Sequence, residues 1–122
     1  MDAGLVYNTF PYMGDSIIPI EYGNLGFIDP FENPVTAQFH HRLLASITLI
    51  IIIIYSILYL IRNPINLRIL LLLFAIICQF IIGIFTLLYS VPITLGTMHQ
   101  FVGVLLFLSA LWVLHSPKKN TF

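Results

Sequence analysis

The chain has 122 residues, 59% of them hydrophobic and 8% charged, with 5 Lys and Arg against 5 Asp and Glu and a mean hydropathy of +0.99. A soluble domain is roughly a quarter charged and about half apolar, so this composition argues against a water-soluble globular enzyme and for a membrane protein. All five acids (Asp2, Asp15, Glu21, Asp29, Glu32) precede residue 33 and all five bases (Arg42, Arg62, Arg68, Lys118, Lys119) follow residue 41, so no basic run or face supports binding of nucleic acid.

Residues 1–33 hold every acid, four of the seven glycines, three prolines between Pro11 and Pro30, and the aromatics Tyr7, Phe10, Tyr12, Tyr22 and Phe27. No basic stretch followed by an apolar one marks a cleavable signal peptide. Disordered segments are poor in aromatic residues, so a loop folded back on another element is expected here.

Asn33-Pro34 predicts a helix start, an N-cap followed by proline at the first helical position. The helix then enters a run without charge from Leu43 to Ile61, 19 residues, and about 20 residues cross a hydrocarbon core. A second uncharged run covers Ile69 to Val91, 23 residues, and a third covers Thr94 to Leu114, 21 residues whose one titratable group is His99. The isoleucines Ile50 to Ile54 read as lipid-facing filler, and Cys78, inside the second run, as core filler that excludes an internal disulfide. The expected architecture is all-α: an outer, periplasmic-side loop over 1–33, a three-span bundle over 34–116 with spans near 43–61, 69–91 and 94–114, and a cytoplasmic tail over 117–122.

Orientation follows from the bases. Arg62 and Arg68 flank the turn between the first two spans, Lys118 and Lys119 lie in the tail, and the turn from Ser90 to Gly96 has none. The positive-inside rule therefore places the Arg62/Arg68 turn and the tail in the cytoplasm and the acidic loop outside.

This topology sets His41 and His99 near the outer ends of two helices that run in the same direction. Ionisable groups at such a depth are candidate functional residues. Paired imidazoles suit axial ligation of one haem iron, while zinc or a simple hydrogen bond remain open on spacing alone. Ala45 follows His41 by four residues and Gly103 follows His99 by four, small residues that would give a porphyrin clearance or serve ordinary helix packing. Gln79 and Gly83 share a face of the second span, near Thr86. His40 and His41 point about 100° apart, so one of them faces the partner helix, and spacing does not say which. His115 reads as interfacial; Arg42 is placed either to snorkel to lipid phosphate or to pair with a haem propionate.

The strings DAGLVYNTFP from Asp2 to Pro11, FENP from Phe31 to Pro34, QFHHR from Gln38 to Arg42 and LGTMHQ from Leu95 to Gln100, with Gln79, Gly83 and Thr86-Leu-Leu before Val91-Pro92, resemble the C-terminal half of the haem A synthase family. The resemblance covers almost the whole chain in order. It implies half of an eight-span protein built from two four-helix halves, which oxidises a ring methyl of haem O to the formyl group of haem A for cytochrome oxidase assembly. It also implies haem b as cofactor, His41 and His99 as ligands of its iron, and a cell or mitochondrial inner membrane; Arg42, Gln79 and Gly103 are expected, from their placement, as further cofactor-binding residues.

Three departures carry further expectations. His40 stands where the family more often has Asp or Asn. Gln38 matches a glutamate that, in the family's N-terminal half, is the presumed catalytic carboxylate; an amide is no general base, so this site reads as a cofactor site and not as the place of methyl oxidation. Three spans stand where the family's C-terminal half has four, so the chain reads as a split or truncated copy. Its partners would be membrane lipid, haem O, and a separate N-terminal half or other copies. The rival readings are a bis-histidine cytochrome that passes electrons and an inactive fragment.

Overall fold

The computed structural model describes residues 2–115; the tail expected over 117–122, with Lys118 and Lys119, lies outside the described residues. Among the described residues the architecture is all-helical. Single 3₁₀ turns at Ala3–Leu5 and Gly26–Ile28 and a one-turn helix α1 (Asp29–Glu32) precede three long helices, α2 (Pro34–Arg62), α3 (Leu67–Leu88) and α4 (Ile93–Leu114). All three are long and apolar enough to cross a bilayer, so the described residues supply three spans of a membrane protein.

The helix ends follow local chemistry. Asn33 closes α1 and caps α2, its side-chain oxygen accepting from Val35 N–H at 3.0 Å while Pro34 takes the first helical position. Asn66 caps α3 in the same manner, accepting from Arg68 N–H at 2.9 Å. α3 stops at Leu88, three residues short of the end of its uncharged run. Pro92 disfavours helix at the residue before it, and the chain turns through Ser90 (φ 58°) and Val91 (φ 55°), with Val91 N–H donating to Thr86 O at 2.8 Å. A β-branched residue in the left-handed region is strained, so this turn is held by its surroundings.

Short turns make α2, α3 and α4 successively antiparallel, and α3 packs on both neighbours. Ile69, Leu72 and Ile76, all buried, share one face of α3. Arg68 lies 5.2 Å from the Trp112 ring centroid, joining the start of α3 to the end of α4. Most other apolar side chains of the helices stay exposed, which suits a lipid solvent, where Leu is as well placed outside as inside.

The N-terminal segment folds back onto the α2 start and the α3 end. Asp29, 1% exposed, accepts from Gly23 N–H (3.0 Å), Leu25 N–H (2.9 Å), Asn33 Nδ2 (2.9 Å) and Thr36 Oγ1. Burial works to raise its pKa, but the hydrogen bonds from Thr36, Asn33, Leu25 and Gly23 prevail and hold the carboxyl at about 2. Tyr7 donates its hydroxyl to Glu21 Oε2 at 3.0 Å, and that hydrogen bond, with burial and the Glu21 charge, holds the phenol above its ordinary value.

Candidate haem-ligating site

His41 is the eighth residue of α2 and His99 the seventh of α4. Because these helices run the same way, the two rings reach a common level. Their centroids lie 6.3 Å apart with planes inclined at 77°. A cavity of about 290 Å³ opens beside them. Its walls are Gln38, His41, Arg42 and Ala45 from one face of α2, Gln79, Phe80, Gly83 and Leu87 from α3, His99 from α4, and Ala3, Gly4 and Phe10 from the loop. No acid is among the lining residues.

His99 is held from two sides. A Cβ on Gly83 would stand 2.8 Å from His99 Cε1, so the imidazole rests against the α3 backbone at a place only glycine leaves open. Gln79 Nε2 lies 3.4 Å from His99 Nε2. As placed, the amide donates to the ring nitrogen; turned over, its oxygen accepts from Nε2–H. His99 Nδ1 and Gln79 Oε1 are both buried without a partner, so the site holds unused polar capacity.

The other expected residues fall in three groups. Arg42 lines the cavity, but its guanidinium donates to backbone carbonyls of the loop, from NH2 to Tyr7 O and from NH1 to Thr9 O, each at 2.8 Å. Gly103 does not line the cavity; a Cβ there would stand 3.1 Å from Gln79 Nε2, so this glycine makes room for the amide that meets His99. Ala45 does line it. His40 turns away, its Nε2 lying 3.1 Å from the Tyr22 hydroxyl, so His41 is the histidine that faces α4. His115 lies at the C-cap of α4, its Nδ1 3.0 Å from Leu111 O.

Sequence reasoning missed the loop as a wall of the cavity. Gln38 Nε2 donates to Tyr7 O at 2.9 Å, and Asn8 Nδ2 donates to Gly4 O at 3.0 Å and Leu87 O at 2.9 Å. Phe10 meets Phe80 edge-on, centroids 6.2 Å apart. The signal available was the loop's aromatic content, which says that it packs but not where.

Comparison with known proteins places these features. The family model described as cytochrome oxidase assembly protein matches residues 1–111. Curated relatives named heme A synthase include those of Rickettsia bellii strain OSU 85-389 (43% identical, covering 99% of this chain and 37% of the relative) and Wolbachia pipientis wMel (36% identical, 99% and 34%). A third, from the Wolbachia of Brugia malayi, is 41% identical over 98% of this chain and 35% of its own length. The chain thus spans about a third of the length of the curated relatives it matches. No solved structure matches.

Proposed function

The chain belongs to the cytochrome oxidase assembly protein family, as a multi-pass protein of the inner membrane, and on that premise we propose that it forms the haem b-binding, C-terminal portion of a haem A synthase. The observation that carries this reading is the paired imidazoles. The ring centroids of His41 and His99 stand 6.3 Å apart, close enough for one metal ion to be held by a nitrogen of each. Zinc asks for about four ligands. Among the described residues no group of three or more His, Cys, Asp or Glu is placed to hold a metal, whereas a porphyrin brings four nitrogens of its own. The buried, unpartnered Nδ1 of His99 and the apolar walls fit the same group.

When bound, a bis-imidazole haem b supplies a one-electron couple. The remaining work falls to side chains. His41 and His99 offer ring nitrogens from opposite helices. Were His99 Nδ1, the buried nitrogen without a partner, given to a metal, Nε2 would be left to the Gln79 amide, 3.4 Å away, which would fix the ring's orientation. Gln38 and Arg42 hold the loop, which supplies Ala3, Gly4 and Phe10 to the cavity wall, through Tyr7 O. With no carboxylate in the lining, and a neutral amide at Gln38, this site lacks the general base that methyl oxidation would use. The oxidation of haem O to haem A would therefore take place in an N-terminal half and not at this site. The Arg62/Arg68 turn would face the cytoplasm and the loop the outer side.

The test is the reduced-minus-oxidised spectrum of the purified chain, with pyridine haemochrome to identify the porphyrin. We expect a low-spin haem b signal that is lost in His41→Ala and His99→Ala. Full haem retention in both variants would refute the ligand assignment. A haem-loaded chain that restores haem A formation to a separately expressed N-terminal half distinguishes the synthase portion from a simple electron carrier.

A further inference from the structure

One segment of the loop is built the wrong way round for water. Between Ile17 and Phe31 the buried acid, Asp29, points inward into its four donors, while the exposed Glu21 accepts from the Tyr7 hydroxyl. The large apolar side chains point outward: Phe27 is 99% exposed, Ile20 92% and Phe31 75%. A water-facing loop reverses this arrangement, and a contiguous exposed apolar patch marks a surface that meets something apolar.

The position of the segment says what it meets. Thr36 donates to Asp29, and His40 meets the Tyr22 hydroxyl, so the segment lies over the face of α2 that carries Thr36 and His40. Continued inward at helical spacing, that face carries Leu44, Ile47 and Ile51, all exposed within the uncharged run. The cavity is on another face, that of Gln38, His41 and Ala45. The segment therefore overhangs the lipid-facing side of α2 and not the bundle. His40 stands three residues before Leu43, where the uncharged run begins, hence about 4.5 Å above the hydrocarbon boundary. The headgroup layer is roughly 5–7 Å deep on each side, so Tyr22 is anchored within it.

We propose that the segment Ile17–Phe31 is an interfacial membrane anchor, its outward isoleucines and phenylalanines seated at the headgroup–acyl boundary of a phospholipid bilayer. Apolar and aromatic side chains prefer this layer, and an amphipathic surface seats its apolar face about 5–10 Å into it. The anchor would fix the level of the α2 start, and with it the loop that walls the cavity. It rests on the membrane spans and the loop geometry alone, and stands whether or not a haem binds.

Site-directed spin labelling tests it. In a Cys78→Ala background the full chain is reconstituted in phosphatidylcholine vesicles, with single labels at Ile20→Cys and Phe27→Cys. Leu44→Cys serves as the lipid reference and Asn63→Cys as the water reference. Both loop positions are almost fully exposed, so labels there leave the packing intact, which an unchanged circular dichroism spectrum checks. We expect labels at 20 and 27 to match Leu44, with an oxygen-to-nickel-chelate collision ratio several-fold above that of Asn63. A ratio equal to that of Asn63 would overturn the proposal in favour of a solvent-facing loop. Immobilised labels shielded from both reagents would overturn it in favour of a protein surface.

Discussion

Gly83→Ala separates a packing glycine from a ligand-positioning one. In an α-helix, alanine in place of glycine is favoured by about 1 kcal/mol, so helix formation alone predicts no loss of stability. At this position the added methyl stands 2.8 Å from His99 Cε1, whereas ordinary contact begins at 3.4 Å, so the imidazole must move by about 0.6 Å. A site needs its ligands held within about 0.5 Å, and disturbing what orients a metal-bound histidine typically costs about 10–100-fold in affinity. We therefore expect Gly83→Ala to weaken haem binding by roughly 10–100-fold while helix content and melting temperature stay at or above the parent values. Haem titration followed at the Soret band, with circular dichroism melts on the same samples, makes the comparison. Gly96→Ala is the control, since a Cβ there meets Val91 Cγ1 at an ordinary 3.8 Å. Parental haem affinity and an unchanged low-spin electron paramagnetic resonance signal in Gly83→Ala would refute the argument that the α3 backbone seats His99.

Arg42→Gln removes the two short hydrogen bonds to Tyr7 O and Thr9 O, with the longer ones to Tyr12 O (3.3 Å) and Pro11 O (3.5 Å), and bonds from a charged donor are worth about 1.5–3 kcal/mol each before water replaces them. Amide exchange across residues 7–12 is then expected to report an opening free energy lower by roughly 2 kcal/mol, and Arg42→Lys to recover at most part of it, since an ammonium lacks the planar fork. Asp29 titrates at about 2 in the folded chain against an ordinary 3.8, so its contribution is in place above 3.8 and disappears as pH falls through about 2. Protection of the amides of Gly23 and Leu25 should fall in that window in the parent, and Asp29→Asn should abolish the pH dependence. His40→Ala is expected to retain haem and loosen Tyr22, seen as a change in tyrosine fluorescence, whereas His41→Ala loses haem; equal haem loss in both would contradict the assignment of facing sides.

The helices were legible because each rests on a long-range average and a local stop. Uncharged runs of about 20 residues and the caps at Asn33 and Asn66 act within a few residues of sequence. The run ending at Val91 overstates α3, since hydropathy continues through Ser90 and Val91 while Pro92 ends helical geometry earlier. The choice between His40 and His41 was legible from the resemblance but not from spacing: adjacent residues differ only by about 100° on a helix, and His40 turns away because it meets Tyr22. Gly103 reads by spacing as clearance beside His99, yet it faces Gln79, because the closest approach of α3 and α4 is set by both helices together. The inward acid of the loop, Asp29, was equally hidden, since its partners, backbone N–H groups, Asn33 and Thr36, exist as a cluster only once the chain has turned back on itself.

Arg42 shows why loop and site form one unit. A cation at the edge of the hydrocarbon is costly unless something meets it. Here it meets the carbonyls of Tyr7 and Thr9, in a stretch of loop without helix or strand to satisfy its backbone. Tyr7 O also receives Gln38, and at the other side Asn8 donates to Leu87 O, a carbonyl in the last turn of α3 that also accepts from Ser90 N–H. The same two helix ends carry His41 and the turn that leads to His99. Loop carbonyls and helix-end carbonyls are thus joined by one set of hydrogen bonds at the helix ends that carry the imidazoles, so a substitution that frees the loop should also broaden the distribution of His41–His99 distances. A nitroxide-free check is available in the ligand field: Arg42→Gln loaded with haem should show a broadened low-spin signal, and a signal as sharp as the parent's would mean that α2 and α4 hold the pair without the loop.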